Sequence, residues 1–418
     1  MNVMILNDAG FGLEAGKGVY GKEVYCELLA MVNEKLGNKV LKVALGKWRG
    51  SSADVITLEG SGVPVLRTFY DKPLMDGLVR LCEKYEVDLI HANILNAHYP
   101  LIVSRLSRKL NIPLVITVHS WVYLCPTTYN VMLPNLVPCE ISTLNARCMR
   151  CIISKAKLMS VSPLFTAAKM LHQTYALRTL LREADCVISP SKIFAKKSSK
   201  ILHNRVCHIS NPVNPLLLGE EPMFDGDGSI LFMGRLEYEK GVHLLLALAK
   251  ILKKFKINII GKGSLDGLFL EDRLLNLSYY GYVKEDEKMN LIRRANVLVV
   301  PSIWCDMFPT AVFEAFTFGK PVVAFDLGGP KEMIEASGCG LLATPFEIKD
   351  FAEKVKYLLE NKSEAKRMGL RGRRWVEENL NLEYYARKLI RVYEYAMMIY
   401  SSMVLVPLKQ FHGKILKI

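Results

Sequence analysis

Long apolar runs are missing from this 418-residue chain. A membrane-spanning helix takes about 18–20 consecutive apolar residues, and every run here is interrupted well short of that, so no span is expected. Met1–Leu6 lacks a charged n-region and a small-residue cleavage site and reads as a first strand, so no secretory leader is expected and a cytoplasmic location is. Gly (28) and Pro (18) are too few for a collagenous or low-complexity chain. Ten cysteines are too sparse for a disulfide scaffold of small domains. Acidic residues are also short: 41 Asp and Glu against 55 Lys and Arg leave +14, of which +11 falls in residues 1–212 and +3 in 213–418. That imbalance implies a negatively charged partner, either an anionic membrane surface or a phosphate-bearing substrate. Zinc-finger spacing, an RNP-like aromatic strand and basic-zipper heptads are all absent, so nucleic acid is not an expected partner.

What is present is a chain half hydrophobic and too long for one core, which predicts two domains of about 200 residues. Short β-branched runs at Val3–Asn7, Val40–Ala44, Leu89–Ala92 and Leu114–Val118 alternate with helical patterns at Tyr20–Leu36 and Leu78–Tyr85. The rhythm returns in strands at Ser229–Met233, Ile257–Ile260, Val297–Val300 and Val322–Phe325, with helices at Gly241–Phe255, Asp286–Arg294 and Thr310–Phe318. Such alternation predicts βα units and parallel sheets. The proline-marked stretch Asn211–Pro215 is the expected hinge, giving an α/β chain of two doubly wound, Rossmann-like domains facing across a cleft. The expected bounds are 1–212, 213–390 and a C-terminal crossover or tail from 391 to 418.

In these sheets ligands sit beyond the carboxyl ends of the strands, where backbone amides and helix N-termini meet anions. Three glycine-bearing stretches qualify: Asn7 to Glu23, with Gly10, Gly12, Gly16, Gly18 and Gly21; Gly234 to Gly241; and Gly261-Lys262-Gly263-Ser264. None has the Walker or G-x-G-x-x-G spacing, which disfavours nucleoside triphosphate hydrolysis and NAD binding. The second stretch sets Arg235 and Lys240 ahead of a helix, where both reach for a diphosphate. Turn geometry and a solvated loop are the plain alternatives.

The combination of Gly234-Arg235-Leu236 with Lys240-Gly241, the run Pro301 to Phe316, Gly319-Lys320-Pro321-Val322-Val323, His119, Ser189-Pro190-Ser191, Asn211-Pro212-Val213 and Gly328-Gly329-Pro330 with Glu332 resembles the family 4 retaining glycosyltransferases over most of the chain. The resemblance implies the GT-B fold, with acceptor bound mainly by the first domain, nucleotide-sugar donor mainly by the second, and no catalytic metal. It implies a diphosphate clamp at Arg235 and Lys240, doing electrostatically what a metal does elsewhere. Donor contacts are implied at Gly12, Gly18, Gly234, Gly263, Phe308, Pro309 and Thr310. The family's glutamate, seven residues, glutamate pattern is carried here by Asp306 and Glu314. Glu314 matches the family's ribose-binding carboxylate, while Asp306, one methylene shorter, matches the group near the transferred sugar. His119 matches a histidine that hydrogen-bonds the donor sugar, with Ser120 where many relatives have aspartate; His91 matches a segment at the first domain's cleft edge.

Cys125, Cys139, Cys148 and Cys151 are spaced C-x13-C-x8-C-x2-C directly after His119. The closing C-x2-C suits two thiolates on one tetrahedral metal, with the other two completing a structural zinc site; free thiols and disulfides remain open alternatives. Cys26, Cys82, Cys186, Cys207, Cys305 and Cys339 sit in apolar settings and read as small core residues. Lys155–Arg205 is strongly basic with two acids, and Lys192, Lys196 and Lys200 recur at helical spacing, a face suited to anionic lipid or simply to water. Tyr393–Pro407 is apolar and too short to span; packing back on the first domain or touching a membrane are its two readings.

The expected activity is therefore retaining transfer of a sugar from a nucleotide diphosphate sugar to a glycan, lipid-linked or small-molecule acceptor, in the cytoplasm or peripherally at the inner membrane face. A nucleotide-sugar epimerase or hydrolase on the same fold, and a non-catalytic nucleotide-sugar-binding partner, are the rival readings.

Overall fold

β-branched segments that are apolar on both faces cannot lie on a solvated surface, and here they pair side by side as buried parallel strands. The computed structural model describes residues 1–12, 21–46, 54–60, 71–133, 137–139, 146–158, 161–202, 206–270 and 275–405. The chain forms two units: Met1–Pro212 together with the segment from Leu382 onward, and Val213–Asn381. Residues 382–390, expected in the second domain, thus belong to the first.

In the first unit, β1 (Asn2–Asn7), β2 (Lys39–Leu45), β3 (Val55–Leu58), β4 (Leu89–Asn93) and β5 (Leu114–Thr117) precede a short antiparallel hairpin, β6 (Val131–Met132) and β7 (Val137–Pro138), and then β8 (Cys186–Ser189) and β9 (Val206–His208). The parallel sheet runs β3-β2-β1-β4-β5-β8-β9. Strand order reverses between β1 and β4, so the loops after them and after β5 gather at one sheet edge. The helix Gly21–Lys35 lays Leu28, Leu29 and Val32 against Tyr385, Leu389, Val392 and Tyr393 of the helix Leu382–Leu405, all buried. Each such side chain contributes about 1.5–3 kcal/mol on burial, and the C-terminal helix is thereby part of this core.

A buried polar network pins that helix. His91 Nδ1 is 2.8 Å from the Tyr393 hydroxyl and its Nε2 is 2.7 Å from Thr117 Oγ1; Tyr25 OH lies 2.9 Å from the same Thr117 oxygen and 2.5 Å from Tyr385 OH. Burial pushes the His91 imidazole down to about 3, so it stays neutral. His91 is fully buried, and its contacts are structural ones. Among the described residues no helix is long and apolar enough to cross a membrane; Tyr393 and Ala396 lie in the core, and Pro407 lies outside the described residues.

The second unit holds β10 (Ser229–Met233), β11 (Ile257–Ile260), β12 (Leu277–Gly281), β13 (Ala295–Val300), β14 (Val322–Phe325) and β15 (Gly340–Ala343), parallel in the order β12-β11-β10-β13-β14-β15. Its order reverses between β10 and β13, which sets the Gly234 loop beside the segment that begins at Pro301.

Candidate active site

In the second unit, three loops meet beyond the strand ends. Gly261, at φ +132°, passes so close to the Gly234 carbonyl that a Cβ would come within 1.8 Å of that oxygen; one on Gly263 would lie 2.4 Å from the Leu236 oxygen. Only glycine permits these approaches. The contact is locked by Glu237, whose carboxylate accepts from the Ser264 N–H at 3.1 Å and its hydroxyl at 2.6 Å. The Gly234 loop then tightens into one 3-10 turn, Tyr238–Lys240, closed by Gly241 at φ +70° and stitched to the β13 loop by the Ile303 N–H donating to the Glu239 carbonyl at 2.9 Å.

That turn delivers Lys240 to Asp306. The ammonium donates to Asp306 Oδ2, and it lies 5.3 Å from the centre of the Trp304 ring. Both side chains are largely buried, so each neutralises a charge the other would leave unpaired. The Asp306 backbone is gripped as well: the Gly329 N–H donates to its carbonyl at 2.5 Å, and a Cβ on Gly328 would come within 2.7 Å of the same oxygen. Arg235 takes a different direction. Half exposed, it pairs loosely with Glu239 at 3.4 Å and does not join Lys240 on Asp306.

Phe308 and Pro309 lead into the helix Thr310–Thr317, whose first turn has no side-chain cap; the Val312 N–H donates to the Pro309 carbonyl at 3.1 Å, and the positive end of the helix lies at Thr310. One turn on, Glu314 receives Lys288 at 3.2 Å, and Lys288 also meets Glu285 at 2.7 Å. Burial alone would lower the Lys288 ammonium, but Glu314 and Glu285 outweigh it and hold it above its ordinary value. Lys288 was not among the expected site residues, because it stands on a separate helix, Glu285–Arg294. Glu237 and Ser264 were missed similarly, although both lie in the glycine stretches.

In the first unit, His119 follows β5 and sets Nε2 2.9 Å from Asn93 Oδ1 at the end of β4, with the Tyr25 ring edge-on at 4.8 Å between centres. Burial, reinforced by Lys22 and His91, pushes its imidazole down to about 3. Neutral His119 with an amide oxygen at Nε2 carries its proton there and leaves Nδ1 as an acceptor. Beyond β1, Asp8 accepts the N–H groups of Leu95, at 2.7 Å, and Asn96 and pairs with Lys22, tying the loops after β1 and β4 together. Gly10 and Gly12 lie in this loop, both with φ +158°, within extended backbone. Gly16 and Gly18 lie outside the described residues.

The four cysteines that follow His119 come together. Cys125, Cys139, Cys148 and Cys151 line one cavity of about 20 Å³, although among the described residues no three metal-binding side chains already form a cage. The other six cysteines are buried, as core residues should be.

Comparison with known proteins supplies the class. The description Glycosyltransferase Family 4 matches residues 20–216, and Glycosyl transferases group 1 matches residues 219–375. A stretch of 181 residues is 30% identical to an uncharacterised glycosyltransferase of Methanocaldococcus jannaschii, covering 41% of this chain and 46% of that protein. The chain spans about half the length of the curated relatives it matches. Among solved structures, sucrose-phosphate synthase from Thermosynechococcus elongatus superposes with a TM-score of 0.72 at 18% identity, over 96% of this chain and 99% of that one. The HepE protein of Anabaena in complex with UDP-glucose superposes with 0.67 at 16% identity, over 94% and 99%. Matched along most of its length, the chain belongs to the family 4, group 1 type of glycosyltransferases and has the GT-B fold.

Proposed function

We propose that this glycosyltransferase takes its sugar from a nucleotide diphosphate sugar held by the second unit and transfers it with retention of anomeric configuration to a sugar or lipid-linked acceptor held by the first. The observation that carries this reading is the convergence of Lys240, Asp306, Glu314 and the uncapped start of helix Thr310–Thr317 around the strand-order reversal of one sheet. Asp306 takes one of the three donors of the Lys240 ammonium, leaving two for a departing diphosphate. The helix N-terminus adds backbone donors for the same anion, with Arg235 free enough to swing in from the loop. Glu314 keeps a carboxylate oxygen for ribose hydroxyls while Lys288 holds the other. In the first unit, His119 Nδ1 offers an acceptor to a sugar hydroxyl.

In the reaction, the bond between the anomeric carbon and the diphosphate oxygen breaks, and a bond from that carbon to an acceptor hydroxyl oxygen forms on the same face. The hydroxyl proton passes to the departing phosphate. Charge stabilisation by preorganised donors of this kind is worth about 100-fold or more in rate per donor. HepE, solved with UDP-glucose, supports a nucleotide sugar as the ligand. The basic excess of residues 1–212 supports an acceptor that is anionic or presented at an anionic membrane face.

The test begins with a thermal-shift screen of UDP, GDP and ADP and their sugars, followed by anomeric analysis of the product by NMR. Stabilisation by one nucleotide family and an axial-to-axial or equatorial-to-equatorial product are expected. Inverted product would remove retention, epimerised or hydrolysed donor without acceptor product would favour the rival chemistry, and binding without any turnover would favour a silent partner.

A further inference from the structure

The described residues between His119 and Leu158 carry four cysteines that differ in kind from the rest. The six cysteines elsewhere are fully enclosed, whereas Cys125, Cys139, Cys148 and Cys151 are all half-buried and line the same void. They come from three pieces of backbone. Cys125 follows the 3-10 turn Trp121–Tyr123, its N–H donating to the Trp121 carbonyl at 2.7 Å. Cys139 leaves the β6–β7 hairpin, its N–H donating to the Asn130 carbonyl at 3.0 Å. Cys148 and Cys151 stand one turn apart on the helix Ala146–Leu158 and therefore share a face.

We infer that these four cysteines bind one zinc ion, which clamps turn, hairpin and helix into a single structural unit beside His119. A cavity of about 20 Å³ has room for a water-sized or ion-sized occupant. The donor set is sulfur from four side chains, with apolar Val131 and Met132 also lining the cavity, which suits a tetrahedral zinc site and not an oxygen-seeking cation. Among the described residues the thiols do not already form a cage, so zinc binding requires their side chains to rotate inward until the sulfurs reach the roughly 2.3 Å of a zinc–thiolate bond.

The surroundings fit a centre that carries two negative charges once four thiolates surround a divalent ion. The Leu133 N–H already points at Cys151 Sγ at 3.3 Å, the kind of backbone donor that supports a metal-bound sulfur. Arg178, buried, donates to the carbonyls of Tyr123 at 3.3 Å and Leu124 at 3.0 Å and lies within electrostatic reach of Cys125 and Cys148. Arg147 lines the cavity, and Lys155 donates to the Thr127 carbonyl at 2.8 Å. A disulfide between Cys148 and Cys151 fits poorly, because Cβ atoms one helical turn apart are about 5–6 Å from each other and a disulfide needs about 3.8 Å.

The test uses the full chain, expressed without a polyhistidine tag, purified from zinc-supplemented medium and measured by elemental analysis. Near one zinc per chain is expected, lost in the Cys148→Ser, Cys151→Ser double variant and kept in Cys82→Ser, a core control. No zinc, iron in its place, or zinc retained by the double variant would each overturn the site. Because the double variant can misfold, the wild type carries a second readout. Removing the metal with a chelator and adding cobalt(II) should give the strong visible bands of a tetrahedral thiolate site together with thiolate charge-transfer absorption, and four additional thiols should become reactive after chelation. Weak, octahedral-type cobalt bands or an unchanged thiol count would refute the assignment.

Discussion

Asp306 sits where one added or removed atom matters. Its backbone is fixed by Gly328 and Gly329, and its side chain meets Lys240 in a largely buried pair. Asp306→Asn removes the charge that orients the ammonium, and a fall of about 100-fold in transfer rate is expected. Asp306→Glu pushes an extra methylene against Lys240 and should fall as well, by about 10-fold. Initial rates of both variants with one identified donor check this, and a wild-type-like Asp306→Asn would end the claim that the carboxylate takes part. His119 is held neutral, its imidazole pushed down to about 3, so protonation adds no step between pH 5 and 8. Wild type and His119→Asn should therefore give pH–rate profiles of the same shape in that window, with the variant lower throughout; a limb near pH 6.5 lost in the variant would contradict it. Lys320 is a third case. It is almost fully buried, and burial pushes its ammonium down to about 8, with Asp225 and Asp227 only partly opposing. A folded value below the unfolded one means the native state binds fewer protons, so this residue costs stability at neutral pH, and the cost fades as pH rises from about 8 to 10.5. Lys320→Met should be the more stable protein at pH 7, by about 2 kcal/mol, and the difference should shrink in urea unfolding at pH 10.

At the scale of elements, the glycine loops of the second unit work by letting backbones touch. Gly261→Ala forces a Cβ against the Gly234 carbonyl, while Gly267→Ala meets nothing within 4 Å and serves as its control. The first should lose more than 2 kcal/mol in urea unfolding together with nucleoside diphosphate binding, and the second should lose neither; equal behaviour of the two would show that loop contact is unimportant. These loops were legible because glycine and charge cluster at strand ends, and the helix expected at Thr310–Phe318 spans Thr310–Thr317. Two strands as short as β11 and β14 were not. β8 (Cys186–Ser189) follows directly on the helix Pro163–Glu183, and β15 (Gly340–Ala343) opens on a glycine and holds no β-branched residue, so neither stands out from its surroundings. Lys288 on Glu314 was hidden for another reason: only the packing of one helix beside another creates that pair.

At the scale of the molecule, the two units are built differently from the chain. The second is one continuous stretch, Val213–Asn381, with its own sheet and core. Expressed alone, residues 213–381 should fold and retain binding of the nucleoside diphosphate that the full chain binds, measured by calorimetry; a soluble fragment without binding would remove the donor site from this unit. The first is discontinuous, since Tyr385, Leu389, Val392 and Tyr393 complete its core. A chain ending at Asn381 should leave Leu28, Leu29 and Val32 bare and be recovered as aggregate.

That discontinuity also sets an order in time on the ribosome. The first unit begins to emerge first yet cannot close until Tyr393 has left the exit tunnel, by which point the second unit is already complete. At roughly 5–20 residues per second, the apolar surface of helix Gly21–Lys35 waits for many seconds with its partner helix unsynthesised. The half of the protein read out first is therefore the last to mature, and during synthesis it is the half that most needs a chaperone.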